Sequence, residues 1–73
     1  MKIGEKIRKF RTERGLSQKE LAKMAGLSEP AIRNYELGNR TPSDKQLAAI
    51  AGALDISPFA ISNPDIESYI GVM

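Results

Sequence analysis

The chain has 73 residues and a net charge of +2, a length that supports one domain with one small core worth roughly 3–5 kcal/mol and leaves little room for a deep catalytic cleft. It contains no cysteine and no histidine, so disulfides are impossible, the commonest metal ligands and general base are missing, and neither an enzyme nor a metal or other cofactor is expected. The apolar runs are too short to span a bilayer, and the opening MKIGEKIRKF is charged where a secretion signal is apolar, so the expectation is a cytoplasmic protein with no membrane partner.

Taken in chain order, the sequence reads as a series of short helices. Ile3, Ile7 and Phe10 recur at helical spacing and predict a first helix over about 3–14. Gly4 in its first turn costs about 1 kcal/mol against alanine, and Gly15 is expected to end it in the left-handed conformation. Lys6, Lys9 and Arg14 are expected on its solvated face. Ser17-Gln18-Lys19-Glu20 fits a capping box and opens a second helix with Leu21, Ala22 and Ala25 inward; Gly26 closes it. Ser28 caps a third helix, whose first turn holds Glu29, favourable to the helix dipole, and Pro30, which lacks an N–H where none is needed. Ala31, Ile32 and Tyr35 point inward, and Gly38-Asn39 stops it. After the Thr41-Pro42 turn, Ser43-Asp44-Lys45-Gln46 forms another capping box, opening a fourth helix with Leu47, Ile50, Ala51 and Leu54 on its buried stripe. Asp55-Ile56-Ser57-Pro58 leads into a short fifth turn bearing Phe59 and Ile61. No strand alternation, internal repeat or low-complexity tract is present. The fold class is therefore all-α.

Charge is unevenly spread along this series. Residues 1–40 hold ten of the 11 Lys and Arg and five of the nine acids, a net +5, whereas residues 41–73 carry −3. A basic front half points to an anionic partner for one face; the plainer alternative is an unevenly charged solvated surface. The stretch 17–37 adds shape to that charge. Two short helices joined by a glycine-containing turn make the helix-turn-helix that places its second helix in the DNA major groove. Glu29, Pro30, Arg33, Asn34 and Leu37 lie opposite Ile32 and Tyr35, as the stripe a groove would meet.

The combination of Leu16-Ser17-Gln18-x-x-Leu21-Ala22, Tyr35-Glu36-x-Gly38 and Thr41-Pro42-Ser43, with Ile7-Arg8, Arg11, Ala25-Gly26-Leu27-Ser28, Ile32, Leu47, Ile50-Ala51 and Leu54 around it, resembles the Cro-like phage-repressor family, also called the xenobiotic-response-element (XRE) family. The likeness covers about residues 3–61. It implies a compact five-helix, lambda-repressor-like domain that binds an operator in double-stranded DNA, usually as a homodimer. Position by position, it implies that Gln18 contacts a phosphate and that Glu29, Pro30, Arg33 and Asn34 face base edges. The third helix and this DNA-facing set begin at Ser28. Asn39, Arg40 and Ser43 are implied to hold the DNA backbone, and Arg11 and Glu36 to form an internal ion pair. Pro30 stands where the best-known phage repressors carry a polar residue; unable to donate, it is left with apolar contact to a thymine methyl.

Each implied role has a structural rival. Gln18, Arg33, Asn34 and Arg40 are also ordinary surface residue types, and Glu29 also serves the helix dipole, because an acid near DNA is repelled unless it accepts from cytosine. Three functional readings remain: a transcriptional regulator; an antitoxin or restriction-modification controller with the same domain and a different partner; and a protein-interaction bundle without DNA binding, against which Arg33, Asn34 and Arg40 argue. The division is a DNA-binding domain over 1–62 and an extension over 63–73. In the extension, Asn63-Pro64-Asp65 reads as a helix start and Ile66, Tyr69, Ile70 and Met73 as an apolar stripe. Such a stripe is expected to pack on the domain, pair with a second subunit or continue into further sequence; the chain is expected to be the N-terminal part of a longer protein, with a frayed natural C-terminus as the plainer alternative.

Overall fold

Helices begin here where a side chain can satisfy the free N–H groups of a first turn. Ser17 Oγ accepts from the Glu20 N–H at 3.0 Å while the Ser17 N–H donates to Glu20 Oε1 at 2.9 Å. Ser43 and Gln46 repeat the exchange at 3.2 and 2.9 Å, and Ser28 Oγ accepts from the Ala31 N–H at 3.2 Å. The computed structural model describes residues 1–62 and gives five helices: α1 (Ile3–Glu13), α2 (Gln18–Ala25), α3 (Glu29–Leu37), α4 (Asp44–Ala53) and α5 (Pro58–Ser62). No strand occurs among the described residues. The 63–73 extension, with its expected helix and stripe, lies outside them.

The ends are as ordered as the starts. Gly26 closes α2 at φ 70°, a conformation costly for a side chain bearing Cβ. It lets the Leu27 N–H return to the Ala22 carbonyl at 2.8 Å. After α4 the same bend is made by Asp55 at φ 57°, with the Ile56 N–H donating to the Ala51 carbonyl at 3.0 Å. Aspartate is among the few non-glycine residues that tolerate this region.

One core joins the helices. Ile7, Leu21, Ala22, Ile32, Tyr35, Leu47, Ile50, Ala51, Leu54 and Ile61 are all buried. Each large aliphatic among them contributes about 1.5–3 kcal/mol of burial free energy. Helix α1 packs on α3 and α5, α2 on α3 and α4, and α4 on α5. Ala25 and Ala31 border this core half-buried. Of the α5 pair, Ile61 is buried whereas Phe59 is 67% exposed. No described helix is long and apolar enough to cross a membrane.

Two residues of α1 depart from expectation. Lys6 is only 7% exposed rather than solvated. It falls three residues after Ile3 and four before Phe10, so its carbon stem shares their stripe, as long cationic side chains readily do. Gly4 is an adaptation rather than a weakness. A Cβ there would stand 2.1 Å from the Tyr35 carbonyl oxygen and 3.0 Å from that of Glu36. The missing side chain is what lets α1 lie directly against the backbone of α3. Lys9 and Arg14 do lie exposed, each with its cationic group 5.9 Å from the Phe10 ring centre, where they shield that half-buried aromatic.

Candidate nucleic-acid interface

The structure puts α2 and α3 in direct contact, separated in sequence by Gly26, Leu27 and Ser28. Ile32 and Tyr35 fix the inner face of α3 in the core. Pro30, Arg33 and Leu37 are exposed, and Glu29 and Asn34 are half-exposed. The outer stripe is thus set by the helical repeat, and its polarity by the sequence.

Behind that stripe lies an electrostatic brace. Arg11 Nε donates to Glu36 Oε2 at 2.6 Å and Arg11 Nη2 to Glu36 Oε1 at 3.0 Å, a two-pronged contact between α1 and α3. Arg11 Nη1 donates to the Leu16 carbonyl at 2.8 Å, adding the α1–α2 turn. Gln18 Nε2 donates to Glu36 Oε1 at 3.1 Å, adding α2. The hydrogen bond to Glu36 lifts the Arg11 pKa further above its ordinary value, with burial opposing and the opposite charge assisting. Helices α1 and α2 therefore converge on one carboxylate of α3, with the α1–α2 turn tied in through Arg11, which fixes how α3 is presented.

Gln18, placed by its resemblance against a phosphate, already spends one of its two amide hydrogens on Glu36. The other hydrogen and the carbonyl remain available to a ligand. Gln18 also lines a surface depression of about 240 Å³ with Arg8, Arg11, Arg33, Glu36 and Leu37. Arg8 was not among the sequence-derived site residues. Its position three residues before Arg11 was the available signal, because that spacing puts both guanidinium groups on one side of α1.

The other candidates form a second group at the far end of α3. The Asn34 carbonyl accepts from the N–H groups of Asn39 and Arg40 at 2.9 and 3.3 Å, and Asn39 Nδ2 reaches Asn34 Oδ1 at 3.5 Å. Asn34, Asn39 and Arg40 are thereby gathered around one helix terminus. The hydroxyl oxygens of Ser28 and Ser43 act as cap acceptors, although each hydroxyl retains a donor. On the outer surface Arg33 Nη2 lies 3.3 Å from Glu29 Oε1, one helical turn away. Among the described residues no cluster of carboxylates suits a metal ion.

Comparison with known proteins agrees with this geometry. Residues 7–61 match the family model described as Helix-turn-helix. The immunity repressor of Bacillus phage phi105 is 41% identical over 61 residues, spanning 84% of this chain and 42% of the repressor. The restriction-modification controller C.AhdI from Aeromonas hydrophila superposes with a TM-score of 0.79 at 37% identity, covering 81% of this chain and 89% of the controller. The c2 repressor of Salmonella phage P22, solved with a synthetic operator, gives 0.79 at 32% identity over 88% of this chain and 98% of its own. The chain spans about half the length of several curated relatives that it matches. With five helices, one buried core and the matched helix-turn-helix over most of its length, the chain belongs to the helix-turn-helix family of Cro-like, XRE-type phage repressors.

Proposed function

We propose that this chain is a cytoplasmic, sequence-specific regulator of transcription that lays α3 in the major groove of double-stranded DNA. The observation that carries this reading is the α2–α3 unit, whose inner face is sealed by Ile32 and Tyr35 while its outer face presents Glu29, Pro30, Arg33, Asn34 and Leu37. Gln18, with Arg8 beside the same depression, takes a phosphate next to the start of α2. Asn39, Arg40 and Ser43 take the backbone beyond α3. Base edges meet Glu29, Arg33 and Asn34, with Pro30 and Leu37 offering apolar contact to thymine methyls. The solved complex of the P22 repressor with an operator supports this docking by similarity. Two copies reading half-sites about 34 Å apart add their individually weak contacts, which makes a homodimer the working form.

Selection from random duplex DNA tests the proposal. A palindromic enriched motif is expected, with log K falling against log salt at a slope near −3 per subunit if about three or four phosphates are neutralised. Arg40→Ala should weaken all sequences alike, whereas Asn34→Ala should cost about 1–3 kcal/mol on the preferred site and relax one base pair. No enrichment, or affinity indifferent to salt, defeats the proposal. The likeness to C.AhdI supports a second reading, a restriction-modification controller acting through the same contacts; restriction and modification genes beside its own would favour it.

A further inference from the structure

We propose that Glu29 and Arg33 read DNA as a single unit, and that this unit selects one oriented G·C base pair. The inference rests on the docking just described and names the base pair that docking recognises. The two side chains occupy neighbouring turns on the outward face of α3, with Arg33 Nη2 3.3 Å from Glu29 Oε1. Only one guanidinium nitrogen is engaged in that contact. The remaining Arg33 N–H groups and the second Glu29 oxygen take no part in that contact.

Charge explains why the two belong together. Of the three charged residues of α3, Glu36 is neutralised by Arg11. That leaves Glu29 and Arg33 as a pair of zero net charge on the groove face. A lone carboxylate between two phosphate chains is repelled, and it gains only where a base edge offers a donor. Arg33 offsets the repulsion, and cytosine N4 supplies the donor. Across the major groove a G·C pair shows two acceptors on guanine, N7 and O6, and then one donor on cytosine. The unit presents the matching order: donors from Arg33 and an acceptor from Glu29. An inverted C·G pair reverses that order. An A·T pair sets an acceptor and a methyl group where the carboxylate needs a donor, and a T·A pair sets a methyl group where the guanidinium needs an acceptor. Pro30, next to Glu29, has no N–H to contribute, so hydrogen-bonded reading in this first turn falls to the pair.

The test is selection from random duplexes by the wild type, Glu29→Ala, Glu29→Gln and Arg33→Ala, each checked by thermal melting to be folded. The selected site is then resynthesised with 2-pyrimidinone, which lacks the 4-amino group, at the cytosine, or with 7-deazaguanine at its partner. Wild type should enrich a fixed G·C pair in each half-site and lose about tenfold or more on either analogue, ~1.4 kcal/mol. Glu29→Ala should be indifferent to 2-pyrimidinone and should bind random duplexes more tightly than wild type. Glu29→Gln should admit adenine at the cytosine position, because glutamine pairs with adenine N6 and N7. An unchanged motif in Glu29→Ala, or equal sensitivity of that variant and wild type to 2-pyrimidinone, overturns the paired reading and leaves DNA binding intact. Failure of wild type to enrich any motif overturns DNA binding, and the paired reading with it.

Discussion

The Arg11–Glu36 pair behind α3 and the Glu29–Arg33 pair on its outer face use the same two functional groups. Their surroundings separate them. The side chains of the first are 12% and 4% exposed and meet through two hydrogen bonds between residues 25 apart in sequence. Those of the second are 37% and 51% exposed and share one contact across a single helical turn. A largely buried pair depends on both partners, since removing one leaves a charge with little access to water. An open pair is worth about 0.3–0.5 kcal/mol and exchanges freely with solvent or ligand. One helix thus carries a fixed brace on its inner side and an exchangeable contact on its outer side, as a reading element needs.

Glu36→Ala should break the brace with the largest effect. It leaves Arg11 without its carboxylate and Gln18 without its acceptor. Loss of a buried partner costs about 3–5 kcal/mol, comparable with the whole stability of a domain this size. Arg11 keeps some solvent access and its bond to the Leu16 carbonyl, so calorimetry should find Glu36→Ala melting well below wild type rather than unfolded, while Glu13→Ala, on the exposed surface, melts close to wild type. Equal melting temperatures would show that the brace is dispensable.

Gly4→Ala tests the same seam from the backbone side, with a smaller expected effect. Helix propensity alone predicts a gain of about 1 kcal/mol. The close approach of the Tyr35 carbonyl predicts the opposite, because a backbone oxygen 2.1 Å from the new Cβ cannot rotate away. Overpacking of this kind costs about 1–3 kcal/mol. A lower melting temperature by urea-independent calorimetry is expected, and a higher one would mean that α1 does not sit against α3 as described.

That conflict shows where the sequence was legible. Caps and stops are local: Ser17 with Glu20 and Ser43 with Gln46 declare themselves within four residues, and the helix boundaries followed from them. Arg11 and Glu36 were paired through resemblance, since no local pattern joins residues so far apart. Gly4 read as a flaw because its reason lies on another helix. Lys6 read as surface because charge outweighed its place on the Ile3–Phe10 stripe. Arg8 enters the sequence reading only as part of the family likeness, because the depression that gives it a role forms where three helices meet. The outer face of α3 needed only periodicity, whereas the Glu29–Arg33 contact needed rotamers as well.

The outer pair supplies the next, smaller prediction. Glu29→Ala and Arg33→Ala should each shift stability by no more than about 0.5 kcal/mol, as for other exposed i,i+4 pairs. Chemical denaturation of both variants checks this. A loss several times larger in either would place the pair with the brace, as part of the fold rather than of its reading surface.

The smallest effect is expected at the α2 cap, and it depends on pH. Hydrogen bonds from the Ser17 backbone N–H, and then from its side chain, hold the Glu20 pKa below its ordinary value of 4.5. A carboxylate whose folded pKa is depressed contributes stability that is fully present above its unfolded pKa and is lost as pH falls through the folded value. The contribution should therefore be intact at neutral pH and fade below about pH 4.5. Glu20→Gln keeps an acceptor for the Ser17 N–H but cannot titrate. Melting temperatures of the two proteins compared from pH 7 to pH 3 should show a small advantage for wild type that shrinks on acidification. The Glu29–Arg33 pair offers the contrast, since Glu29→Gln discards an exposed ion pair and leaves the Ser28 cap of α3 in place. If the Glu20 advantage persists unchanged at pH 3, the charged form of Glu20 is not what closes the capping box, and the α2 start rests on the Ser17 hydroxyl alone.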